Sequence, residues 1–189
     1  MEGRQDGKKM RNALLLLVLL PLGCIVEAPG GDKQAPAAST AATARPGSRP
    51  AGVRSGANFD GKVELLAASF NPSFLTPGDV SEVKLYFRVL QPLPEDWQVF
   101  VHAEDPEGKA PRTNFDHAPK RPTSSWRPGE TIEDTFIVGI PAGSAQRAMD
   151  LWVGFWLPRT DARLPVKNKD AVRTDNNDRV QLTRLLVQP

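Results

Sequence analysis

The chain has 189 residues, with 24 Lys and Arg against 22 Asp and Glu, 18 Pro, 15 Gly and a single Cys. That length suits one modest domain plus segments that are not domain, and it excludes two large lobes. A hydrophobic content of 40 % with 7 % aromatics excludes both a polytopic membrane protein and a wholly disordered chain, and one Cys excludes an intramolecular disulfide framework or a zinc site of several thiolates.

In chain order the first element is an export signal. Residues 1–11 carry Arg4, Lys8, Lys9 and Arg11 against Glu2 and Asp6, and an apolar run from Ala13 to Leu22 follows, interrupted only by Pro21. At ~1.5 Å per residue, about ten residues cover half of a ~30 Å hydrocarbon core, so a secretory signal fits better than a transmembrane helix. Met10-Arg11-Asn12 before the same run is also a complete, shorter signal.

The run ends Leu20-Pro21-Leu22-Gly23-Cys24, which resembles the lipobox of bacterial lipoprotein signal peptides. Gly23 and Cys24 match that pattern, while Pro21 and Leu22 depart from its commonest residues. The resemblance implies that residues 1–23 are removed and that Cys24 becomes a lipidated N-terminus. Two or three acyl chains, at ~0.8 kcal/mol per buried methylene, would then hold the protein on a bilayer. Ile25, rather than Asp, after the Cys implies outer-membrane sorting, or the periplasmic side, in a Gram-negative envelope. The alternatives are a signal cleaved elsewhere or a small buried Cys.

Residues 24–57 are dominated by Ala, Pro, Gly, Ser and Thr without apolar periodicity, and cannot bury enough surface to offset their ordering entropy. They are expected to form a disordered tether reaching roughly 30 Å as a coil.

Residues 58–189 hold all four Trp and all eight Phe, enough for one core. Strands are expected at Val63–Ser69, at Ser81–Leu90 with Val83, Leu85, Phe87 and Val89 on one face, and at Trp97–Ala103, which is apolar on both faces and should be covered. Ile132–Ile140 and Met149–Leu157 follow, the latter with Leu151, Val153 and Phe155 opposed to Trp152, Gly154 and Trp156. A short piece near Arg163–Val166 and a last strand, Val180–Val187, complete about seven, with a bulge expected at Arg184-Leu185-Leu186. Pro- and Gly-containing turns separate them, and no ten-residue segment has a helical stripe. The fold expected is all-β: a single antiparallel, immunoglobulin-like β-sandwich.

Five pieces in order, Trp97 to His102, Asp105 to Lys109, Asp116 to Pro119, Pro122 to Glu130 and Leu151 to Trp156, resemble the extracytoplasmic β-sandwich found after the membrane part of some bacterial glycosyltransferase-like proteins and in stand-alone lipoproteins. That resemblance covers about Val63 to Val166 and implies an accessory role. It supplies no catalytic residues.

Chemistry is sparse. The only histidines are His102, on a strand beside Phe100, and His117, in a Pro-rich loop; with Asp105 and Asp116 they form the one conceivable metal set, but the spacing matches no known site and none is assigned. Asp116 is expected to accept backbone N–H groups and fix the loop between Gly108 and Trp126. The stretch Asp170, Asp175, Asn176, Asn177 and Asp178 lacks an EF-hand spacing and reads as a loop. No Gly-x-Ser-x-Gly elbow or phosphate-binding loop occurs, and neither a cofactor nor catalysis is expected. Trp126, Trp152 and Trp156 are the candidate ligand-binding residues: exposed indoles would stack on sugar rings, whereas the plainer expectation packs Trp152 or Trp156 against the loop carrying Trp126.

Charge can now be divided. Without residues 1–23 the chain carries 20 basic and 20 acidic groups, and residues 58–189 carry 16 against 18. The basic balance belongs to the signal and tether, which removes the compositional case for nucleic-acid binding. The sequence therefore leads to a lipid-anchored cell-envelope accessory protein that binds or scaffolds, with envelope proteins or glycans as partners. The alternatives are a surface carbohydrate-binding module and, third, a secreted hydrolase.

Overall fold

The computed structural model describes residues 51–188, so Cys24 and the stretches up to residue 50 that are expected to form an export signal and a tether lie outside the described residues. The strands are β1 (Ala51–Phe59), β2 (Val63–Asn71), β3 (Phe74–Leu75), β4 (Val80–Val89), β5 (Gln98–Glu104), β6 (Thr113–Asn114), β7 (Thr131–Gly139), β8 (Ala148–Leu157), β9 (Ala162–Arg163) and β10 (Val180–Val187). One sheet has the order β1-β2-β4-β7; the other has the order β3-β10-β8-β5-β6, with β9 paired to β8. Side chains from both sheets meet in one buried cluster, so the domain is an all-β, two-sheet sandwich of immunoglobulin-like type. Among the described residues the only helical pieces are two three-residue 3₁₀ turns, and no helix is long and apolar enough to cross a membrane.

The expected alternation is realised where it is strongest. Along β4, Ser81, Val83, Leu85, Phe87 and Val89 point inward and are buried, while Lys84, Tyr86 and Arg88 face out. Four features depart from the expectation. First, β1 begins at Ala51, so at least seven residues read as tether form a strand. Its sequence has almost no apolar pattern, and it is held by a backbone ladder to β2 and by the inward Ala57 and Phe59, around a bulge between Arg54 and Ala57 where Gly56 takes φ +78°. Second, β3 runs parallel to β10, so the second sheet is not purely antiparallel. Third, the bulge of β10 lies between Gln181 and Thr183, three residues before the expected place. Fourth, Trp126 is not at the surface but inside the sandwich.

Four rings fill the centre. Phe155 of β8 lies 5.3 Å from Phe59, 5.2 Å from Phe87 and 6.3 Å from Trp126, and Phe87 and Trp126 are 5.9 Å apart. Phe59 and Phe87 come from one sheet and Phe155 from the other, so this cluster ties the layers together. Trp126 closes it from the loop before β7, and its Nε1–H is satisfied by the Arg121 carbonyl at 3.0 Å. Phe155→Ala is expected to cost about 3–5 kcal/mol, as for other large-to-small changes in a dense core. Urea denaturation should show this as a lower midpoint at unchanged slope. A loss below about 1 kcal/mol would show that these rings do not hold the sheets together.

Candidate ligand-binding face

The outer face of the β10-β8-β5 sheet carries aromatic and charged residues in alternating register. Asp150, Trp152, Gly154 and Trp156 project from β8; the paired positions on β5 are Glu104, His102, Phe100 and Gln98. Among the described residues no further sheet covers this face, yet Phe100 and His102 are 2 % and 4 % exposed. Arginines do the covering. Arg163 of β9 lies over the Phe100 ring at 4.7 Å, and Arg179, just before β10, lies over Trp152 at 4.8 Å. Phe100 and His102 are stacked, with centroids 4.9 Å apart.

Gly154 makes this layer possible. A Cβ there would fall 2.3 Å from Phe100 Cζ and 2.9 Å from the Asp178 carbonyl oxygen, so Phe100 crosses β8 in the gap that glycine leaves between Trp152 and Trp156. The indoles therefore do not form a continuous platform. Both lie on the outer face and are half-buried, and Trp156 borders a hollow together with Arg112, Asn114 and Asp116 of the loop that carries Trp126. Trp152 is roofed by Arg179, and the Trp156 Nε1–H donates to Asp161 at 2.9 Å.

Arg179 organises the β10 side. It is buried, and its charge is met by Glu104 at 2.5 Å and Asp175 at 2.6 Å, while Nη1 donates to His102 Nδ1 at 3.2 Å. Asp175 belongs to the polar stretch before β10: it also accepts the Asn177 backbone N–H at 2.9 Å, so that stretch is a hydrogen-bonded turn around an arginine. On its other side, His102 borders a hollow of about 170 Å³ formed with Arg112, Asn114, Asp116, Trp156, Asp161 and Arg163. Burial, and then the charge of Arg112, depress the His102 pKa to about 4 despite the opposing Asp116 carboxylate.

His117 is committed elsewhere. Nδ1 donates to the Phe115 carbonyl at 2.8 Å, Nε2 meets Asp134 Oδ2 at 2.7 Å, and the ring packs on Phe136 at 4.8 Å. Burial alone would lower its pKa, but the bonds to Asp134 and Phe115 outweigh it and the pKa is raised. Two acceptors on one imidazole favour the doubly protonated ring.

The acidic residues read with the histidines do not converge. Asp105 is turned onto the backbone N–H groups of Glu107, Lys109 and Ala110. Asp116 accepts the Val101 N–H at 2.8 Å, the loop-fixing role expected of it. Among the described residues no group of three His, Cys, Asp or Glu could hold a metal ion. Sequence reasoning missed Arg163 and Arg179; both lie close to strands rich in aromatics, but only tertiary pairing shows which ring each covers. No family model matches the chain, and no curated protein matches it at a significant level.

Two predictions follow from this geometry. Gly154→Ala should displace Phe100 and cost about 1–3 kcal/mol, measured by thermal or urea denaturation, because the colliding atoms include backbone as well as ring. The histidines should give opposite pH slopes. The depressed pKa of His102 makes its contribution full above pH 6.5 and lost as pH falls from 6.5 towards 4, a loss of order 3 kcal/mol. The raised pKa of His117 makes its contribution full below pH 6.5 and lost as pH rises through its folded value. Unfolding free energies of the wild type, His102→Gln and His117→Gln between pH 4 and 9 test both signs; parallel profiles for all three proteins would contradict them.

Proposed function

We propose that the chain is a lipid-anchored protein of the bacterial cell envelope whose β-sandwich acts by binding rather than by catalysis. The observation that carries the anchor is the Leu20-Pro21-Leu22-Gly23-Cys24 sequence, in which the only Cys of the chain occupies the modifiable position after an apolar run. Twenty-six residues separate Cys24 from Ala51, and as a coil they would span about 30 Å, enough to carry a domain clear of the headgroups.

The non-catalytic reading is supported by what the histidines already do. His102 receives Arg179 on Nδ1 and is held neutral, and both nitrogens of His117 are engaged by a carbonyl and a carboxylate. A general base for nucleophilic hydrolysis needs a free nitrogen beside a hydroxyl or thiol, and neither ring offers that arrangement. For the carbohydrate-binding reading, Trp126 is buried in the core, and Phe100 lies in the gap between Trp152 and Trp156.

Expression of the full chain and of Cys24→Ser in a bacterial host, with fatty-acid labelling and membrane fractionation, tests the anchor. The wild type is expected to incorporate label and sediment with membranes. The variant should lose both, and unchanged labelling would refute lipidation at this residue.

A further inference from the structure

We infer that the hollow beside His102 is a binding site for one ring of a neutral, hydroxylated sugar, held by its edge against Trp156 rather than stacked on an indole platform. The inference rests on the binding reading above and assigns that reading a ligand class. His102 is 4 % exposed, and Arg179 Nη1 can only donate, so Nδ1 is the acceptor and the ring proton is on Nε2. That N–H faces the hollow. Its carboxylate neighbour, Asp116 Oδ1, is 3.8 Å away, beyond hydrogen-bonding reach, and already accepts the Val101 N–H at 2.8 Å. Among the described residues that N–H has no acceptor in range and is not sealed from outside, so a group entering the hollow can complete it.

The gap selects the guest. At 3.8 Å the two atoms leave no room for a group between them, but one touching both from the hollow must accept from His102 Nε2–H and donate to the Asp116 carboxylate, which a hydroxyl does and an anion or a cation does not. The wider lining repeats that mixture: Arg112 and Arg163 are offset by Asp116 and Asp161, with no excess of either sign to draw a charged ligand. Trp156, fixed by its bond to Asp161, also lines the hollow, where its indole can meet the C–H groups of a pyranose. A hollow of about 170 Å³ has room for one such ring but falls short of the several hundred Å³ typical of drug-sized ligands.

The test is a titration of the full chain in detergent with methyl glycosides of glucose, galactose, mannose and N-acetylglucosamine, and separately with sodium phosphate and sodium acetate. The indole signal of Trp156 is followed by NMR. At least one glycoside is expected to saturate with a Kd on the order of millimolar, as suits one ring and a few hydrogen bonds. Arg112→Ala and Asn114→Ala, both at exposed positions, should weaken it about tenfold without lowering the melting temperature. Lys84→Ala, on the opposite sheet, should leave it unchanged. No saturable shift with any glycoside, or a response to the anions alone, would overturn the assignment. So would binding that survives both Arg112→Ala and Asn114→Ala. None of these failures touches the fractionation of Cys24→Ser, so the ligand and the anchor stand or fall separately.

Discussion

A carboxylate in the inward row of β7 is the constraint on which much of this molecule depends. Asp134 alternates with Ile132, Phe136 and Val138 and is 3 % exposed, where an unpaired charge would cost several kcal/mol. His117 answers it from the segment that follows β6, and the same segment pairs through His117 with Val99 of the opposite sheet. One residue, by its ring on one side and its backbone on the other, thus pins the excursion from Gly108 to Trp126 against both layers. That excursion supplies Trp126 to the core and Arg112, Asn114 and Asp116 to the hollow. A buried pair is weak evidence for net stability, but removing one partner strands the other, so the loop's position is strongly specified.

The second organising element is β8, which serves two different layers at once. Inward, Phe155 sits among the rings that join the sheets; outward, Gly154 gives up its side chain so that Phe100 can lie across the strand. An outer face this apolar would ordinarily call for another layer of structure. Here Arg163 and Arg179 supply the cover, with their guanidinium groups over the rings and their N–H groups held by Glu104, Asp175 and the Asn177 carbonyl.

How much of this could be read from residues alone depends on which physical signal each element leaves. β4, β5, β7, β8 and β10 have alternating or doubly apolar runs, and their faces were legible, including the opposition of Phe155 to Trp152 and Trp156. β1 was not legible, because an edge strand of small and polar residues owes its order to a neighbour's backbone rather than to its own pattern. β3 is two residues long and parallel to a strand more than a hundred positions away, a pairing no local signal encodes. In β10, the Arg184-Leu185-Leu186 break is real, but its cause lies upstream at Leu182, since a bulge shifts the phase of everything after it. The site was half legible. His102 beside Phe100 and the loop-fixing Asp116 follow from strand register and turn chemistry, whereas the tautomer of His102 depends on Arg179, 77 residues later.

The opposed histidines connect these layers. His117 is most firmly held when protonated, and His102 presents its Nε2–H with Nδ1 free to accept from Arg179 only when neutral. Protonating His102 would set two cationic donors against each other inside the aromatic layer; deprotonating His117 would leave one of its nitrogens lone-pair to lone-pair with an acceptor. Both arrangements hold together only between the two folded pKa values, one about 4 and the other above the ordinary histidine value. Asp116 is the residue next to His117 and the carboxylate nearest His102 Nε2, so a loop loosened by loss of the Asp134 pair would also displace the acceptor side of the hollow. The pH range in which the loop is pinned is therefore also the range in which the hollow keeps both its donor and its acceptor.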